Sequence, residues 1–176
     1  MDYREQLARP LSKHFVDIIV YEVLSHPDDF NLVYQLIFDV DKKVAWRAAW
    51  ACQKISEKKP EWFTEKHFNE LADRCISTKH GGLQRACLSI LYNIEMPDSI
   101  PVLLINSCFE WMVSPRYPIA VQAYSMKLLY RICLKEPDFI PELKAYLENM
   151  HPEDYSAGFI SSRKNTLNLL NNIKFN

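Results

Sequence analysis

Apolar positions in this chain recur at helical spacing. Val121, Tyr124, Leu128 and Ile132 follow i, i+3, i+7 and i+11, with Met126 and Leu129 widening the stripe, the pattern of a helix that buries one face. A strand would need sustained alternation of apolar and polar residues, which no segment offers. Residues 83–94, LQRACLSILYNI, align without gaps on 121–132, VQAYSMKLLYRI, with the same or a similar residue at seven of twelve places. Looser copies stand at 44–55, VAWRAAWACQKI, and 162–173, SRKNTLNLLNNI. Their closing isoleucines, Ile55, Ile94, Ile132 and Ile173, are 39, 38 and 41 residues apart. A period near forty that repeats helix, turn, helix predicts a stacked helical array.

Between these stripes one phrase recurs: HPDDFN at 26–31, KPEWFT at 59–64, MPDSIP at 96–101 and EPDFIP at 136–141. Its first proline cannot continue the preceding helix, because it lacks an N–H and clashes with the turn behind it. The acid that follows (Asp28, Glu61, Asp98, Asp138) stands where it could cap the next helix or meet its positive end. Phe30, Phe63, Ile100 and Ile140 read as apolar anchors under the turn. Pro101 and Pro141 take an early helical position where a missing N–H costs little. A looser fifth version, HPEDYS, occupies 151–156.

The phrase and the stripes together predict helices near 2–9, 11–25, 28–39, 42–57, 62–77, 82–94, 99–113, 118–135 and 139–150, with a last one near 159–174; the first is short enough to be no more than a cap. Ala48, Ala49 and Ala51 would let neighbouring helices approach closely. The expected fold is all-α: an α–α superhelix, a solenoid of about four helical hairpins plus a terminal helix, in one domain over 1–176 that curves as a right-handed stack. The asparagines of the tail (Asn165, Asn168, Asn171, Asn172, Asn176) read as a polar end cap, with Leu167, Leu169, Leu170 and Ile173 turned inward.

Composition narrows the classes of function. Three glycines are too few for a turn-rich sandwich or a glycine-lined nucleotide site. The start MDYREQLARP has no apolar run for a signal peptide, and no stretch approaches 18 uninterrupted apolar residues, so a cytoplasmic location is expected. The five cysteines are widely spaced, with no CxxC pair and no Cys/His spacing suited to zinc, and read as small core residues. Residues 1–41 carry three Lys/Arg against eight Asp/Glu, and residues 42–85 ten against five. A chain with near-zero net charge thus contains one basic stretch, which could steer an anionic partner or be a solvated, internally paired face.

WRAAWACQKI at 46–55 resembles the first helix of a HEAT repeat, with paired alanines, an aliphatic position and a closing isoleucine. The resemblance to the HEAT/armadillo-like α-solenoid superfamily extends over about 11–174. More narrowly, PIAVQAYSMKLLYRI (118–132), EPDFIPELKAYLE (136–148) and SAGFISSRK (156–164) are similar to a family of small bacterial HEAT-like proteins without established function, some of whose members are labelled adenylosuccinate lyase. That label implies a much longer tetrameric enzyme with a mobile, Ser-rich catalytic loop containing Met, Lys and Asn. The nearest string here, SSRKN at 161–165, lacks the Met and Gly context, so no catalytic role is carried onto it.

No HExxH, GxSxG or paired-carboxylate constellation appears, and neither a catalytic residue, a cofactor nor a metal is assigned. The richest stretch for recognition is 42–85, where Trp46, Trp50 and Trp62 are interleaved with ten basic residues. The tryptophans either anchor a partner or fill the seam between helix pairs. SPRYP at 114–118, beside Trp111, makes a rigid bend around Arg116 that presents a side chain or simply joins two helices. The leading expectation is a non-enzymatic scaffold that binds a protein or peptide along the concave face built by the second helix of each pair. Trp62, Lys66, His67, Arg74, Trp111, Arg116 and Lys144 are its candidate contacts. The alternative is a nucleic-acid role like that of HEAT-like DNA glycosylases, using the basic 42–85 stretch with Asp41 or Asp73 as the acid. The slightly negative whole-chain charge weighs against it. A monomer or a weak dimer is expected, with no membrane partner.

Overall fold

The computed structural model describes residues 1–10 and 13–173 and is all-α; ten helices and no strand occur among the described residues. They fall into two compact units, Met1–Ser99 and Ile100–Asn176. In the first unit the helices are α1 (Tyr3–Ala8), α2 (Lys13–Ser25), α3 (Phe30–Gln35), α4 (Lys42–Ser56), α5 (Glu65–Ser77) and α6 (Gly81–Asn93). In the second they are α7 (Val102–Val113), α8 (Ile119–Lys135), α9 (Ile140–Glu148) and α10 (Ala157–Asn171). The expected starts of the second helix at 11–12, the end of the last at 174, and Asn176 lie outside the described residues.

The recurring phrase is a helix-to-helix corner, and except at 96–101 its form is a single 3₁₀ turn. Pro27–Asp29, Pro60–Trp62, Pro137–Phe139 and Pro152–Asp154 each make one, opened by the proline. The anchors behave as their chemistry requires: Phe30, Phe63, Ile100 and Ile140 are all buried, each contributing about 1.5–3 kcal/mol. The acids do not take the capping role expected of them. Asp28 and Asp138 sit inside the 3₁₀ turns, and neither α3 nor α9 has a side-chain cap. Capping falls instead to residues closer to each helix: Asp41 on α4, Thr64 on α5, His80 on α6 and Ser156 on α10. The expected helix at 28–39 is also divided, because Leu36–Phe38 tightens into a 3₁₀ turn after α3.

In the first unit α4 is the central element, packed against α1, α2, α3, the Leu36–Phe38 turn and α6. Val44, Ala45, Ala48, Ala49, Ala51, Cys52 and Ile55 are all fully buried, so the small side chains do bring neighbours close to the α4 backbone. In the second unit α8 holds the equivalent place, packed against α7, α9 and α10. It buries Val121, Met126, Leu128, Leu129 and Ile132 instead of alanines. On α10 the asparagines 165, 168, 171 and 172 are exposed, and Leu170 is buried. Leu169, expected to face inward, is 49% exposed, on a helix whose packing partners are α8 and α9. No helix among the described residues is long and apolar enough to cross a membrane.

Candidate functional site

Three arginines close helix ends. The C-terminal carbonyls of a helix lack intrahelical donors and carry partial negative charge. Arg47 of α4, itself buried, donates from its terminal nitrogen to the carbonyl of Leu7 at 2.6 Å and to that of Arg9, just past the end of α1. Arg74 of α5 donates from Nε to the carbonyl of Ile37 at 3.1 Å. In the second unit Arg163 of α10 donates to the carbonyls of Leu147 and Glu148 at the end of α9. Arg47, which the basic stretch offers for recognition, is therefore committed to the fold.

Along α4, Trp46, Trp50 and Lys54 fall four residues apart and share a face. The two indoles are half-buried and stacked at 6.4 Å, 12° from parallel. Lys54 lies 5.8 Å over the Trp50 ring and pairs with Asp17 of α2, which holds that carboxyl below its ordinary range by hydrogen bonding. At the other end Trp46 contacts the His80 ring at 5.4 Å. A Cβ placed on Gly82 would lie 2.7 Å from Trp46 Nε1, so glycine there permits close approach of α6 to the indole.

Beside this ladder the start of α4, the end of α5 and the start of α6 enclose a cavity of about 350 Å³. Its walls are Lys42, Arg74, Ser77, Thr78, Lys79, His80 and Leu83. His80 caps α6 by accepting from the Leu83 N–H through Nδ1, at 3.1 Å, which leaves Nε2 as the protonated nitrogen of the neutral ring.

Toward the start of α5 lies an aromatic seam shared with α3. Phe30 meets Trp62, Phe63 and His67 with centroids 5.6, 4.9 and 5.8 Å away, and Tyr34 meets His67 at 4.3 Å and Phe38 at 5.7 Å. Tyr34 donates its hydroxyl to Glu70 at 2.9 Å and to the carbonyl of His67; burial first, then that carboxylate, push the phenol far above its ordinary value. His67 Nδ1 accepts from the Thr64 N–H at 2.9 Å, so the imidazole stands in a capping box where Glu or Gln is usual. Burial and the neighbouring Lys66 hold its pKa below the ordinary histidine value, with Glu70 opposing them. Trp62 is half-buried at the edge of the seam, and Lys66 is exposed, 3.6 Å from Glu70.

Trp62, Lys66, His67 and Arg74 therefore share one helix and its approach, as the sequence suggested. In the second unit the candidates separate. Trp111 is only 4% exposed and meets Tyr117 at a tilt, with ring centroids 6.1 Å apart; it is a core residue of its unit, on the buried stripe of α7, which packs against α8. Arg116 is exposed on the bend, and Lys144 is half-buried on α9. Near Lys144 in sequence, Val113, Ala145, Tyr146, Asn149, Met150, His151, Asp154 and Tyr155 line a cavity of about 420 Å³. Nothing in the order of residues points to it, since its walls join the end of α7 to the run 145–155.

The HEAT repeat domain model matches residues 3–170. The chain belongs to the HEAT repeat domain family. No curated protein and no solved structure matches it. In HEAT terms, α2–α3, α4–α5 and α8–α9 are helix pairs joined by the 3₁₀ corner, the arginine clamps lie at helix ends, and the α3–α5 seam joins second helices of consecutive pairs. No cluster of His, Cys, Asp or Glu among the described residues could hold a metal ion. All five cysteines are buried, and burial pushes the Cys87 and Cys133 thiols up to about 12. Of the two acids considered for glycosidic chemistry, Asp41 is engaged as the α4 cap, accepting from the Lys43 N–H at 2.8 Å, and Asp73 is exposed.

Proposed function

We propose that this HEAT repeat protein is a non-enzymatic scaffold that holds a protein or peptide along the second helices of its pairs. The observation that carries the reading is the α3–α5 seam. Its inner rings are packed, while its margin offers Trp62 half-exposed and Phe38 37% exposed. Lys66 and Glu70 border them. A packed aromatic base with an open aromatic edge and a charged rim is the arrangement in which a few residues carry most of a binding energy. The arginines and Asp41 that a nucleic-acid groove would need are in part spent on helix ends, which favours the protein partner.

The test is site-specific photo-crosslinking in cells. A benzophenone residue at Lys66 is expected to give a discrete adduct that disappears when Trp62→Ala is added, while the same probe at exposed Lys164 of α10 gives none. Equal adducts at both sites, or none at Lys66, would refute the reading. A Trp62→Ala protein that no longer folds would place Trp62 in the core instead.

A further inference from the structure

Positive charge is concentrated at one hollow in the first unit whose walls hold no carboxylate. The cavity enclosed by α4, α5 and α6 has Lys42, Arg74 and Lys79 in its walls, with the Ser77 and Thr78 hydroxyl residues and His80, and no carboxylate. Lys42 and Lys79 form no ion pair among the described residues, unlike Lys54, Lys59 and Lys66, which pair with Asp17, Glu61 and Glu70. Arg74 spends Nε on the Ile37 carbonyl, and its two terminal nitrogens make no hydrogen bond among the described residues.

The backbone adds to the same sign. Lys42 is the first residue of α4, where a cation opposes the helix dipole, although the Asp41 cap offsets that helix start. α6, with 13 residues, also begins at the cavity without an acid in its first turn, capped by an imidazole where Asp or Ser would be usual. Close contact of Gly82 with Trp46 keeps that start hard against α4. Three cations and the start of α6 around one hollow repel each other unless an anion shares it.

We infer that this hollow is a binding site for a phosphoryl group, carried by a small phosphomonoester or supplied as free phosphate. Forked guanidinium donors, ammonium groups, hydroxyls and a helix start are the groups that recognise a tetrahedral dianion. A volume of about 350 Å³ leaves room for an attached organic group beyond the phosphate. The site lies at the end of α5, whereas the seam's Trp62 and His67 lie around its start, and it is independent of the scaffold reading.

The experiment titrates the full chain with inorganic phosphate and, separately, with adenosine monophosphate, at pH 8 and constant ionic strength set with sodium chloride. Backbone amide shifts are followed by NMR and affinity by calorimetry. The expected result is saturable shifts at Gly81–Leu83, Thr78 and Lys79, with affinity falling at least tenfold in Lys42→Ala/Lys79→Ala. Both lysines are exposed, so the variant should keep the wild-type amide spectrum elsewhere; Arg74→Lys, which keeps the charge but loses the fork, should weaken binding to a smaller extent. If only phosphate binds, the source is the free ion; if the monophosphate binds more tightly, the organic group is read as well. Either supports the site. Absence of saturation by 10 mM in both titrations, or equal affinity in the double variant, overturns it.

Discussion

In the first unit Gln84 reaches back from α6 to the carbonyl of Cys75 on α5, at 3.5 Å; in the second, Gln122 reaches back from α8 to the carbonyl of Ser114, just past α7, at 2.9 Å. The two glutamines occupy the same place in the aligned stripes and both are buried. Around them the same positions hold Leu88 and Met126, Ile90 and Leu128, Leu91 and Leu129, all fully buried. One place further along the stripe from each glutamine the likeness ends. Ala86 is buried, whereas Tyr124 is half-exposed with Lys127 5.2 Å over its ring. A repeat of this kind keeps its aliphatic stripe and one back-reaching amide, and lets the flank vary with what covers it.

The comparison is broken most severely by emptying the shared stripe. Leu91→Ala and Leu129→Ala should each cost about 2–5 kcal/mol, since both leave a cavity in a closed core. Chemical denaturation measures this, and a cost below about 1 kcal/mol at either site would mean that the two stripes are not equivalent. The amide pair gives a smaller, graded effect. Gln122→Met should cost about 1–2 kcal/mol, because the Ser114 carbonyl loses a well-formed donor inside the protein. Gln84→Met should cost about half as much, its bond being long. Equal losses would show that length does not separate them.

The smallest effect separates the starts of α5 and α7. α5 begins with the Thr64–His67 capping box, while α7 begins at Pro101 with no side-chain cap. The pKa of His67 is lower in the folded chain than its ordinary value of 6.5, so the unfolded chain takes up a proton first on acidification. This contribution to stability is intact above about 6.5 and is lost as pH falls from there toward the folded value. His67→Gln keeps an acceptor at the same place in the box. It should flatten that part of the stability profile between pH 7.5 and 5.5, measured by thermal melts; an unchanged slope would assign the acid sensitivity elsewhere.

Features written as side-chain type at a fixed interval were legible in the sequence. The period near forty, the corner prolines and the anchors Phe30, Phe63, Ile100 and Ile140 all follow from helix breaking and burial, which act locally. Features that depend on a backbone partner elsewhere were not. Arg47 reads as a surface cation until the end of α1 lies beside it. Asp28 and Asp138 read as caps, but the 3₁₀ turn places another residue at the helix start. Trp111 reads as a surface aromatic because its bend contains Arg116 and Tyr117, yet the stripe of α7 carries it inward. The basic hollow was visible only as an excess of Lys and Arg in 42–85; which of them remain unpaired is decided by helix packing.

The sealed thiols give this protein an internal clock. Alkylation requires both access and a thiolate, and burial denies both, so each sulfur reacts only when the helix around it opens. Cys52, Cys75 and Cys87 lie in the first unit and Cys108 and Cys133 in the second. Labelling resolved peptide by peptide would therefore time how each unit comes apart, with no added probe.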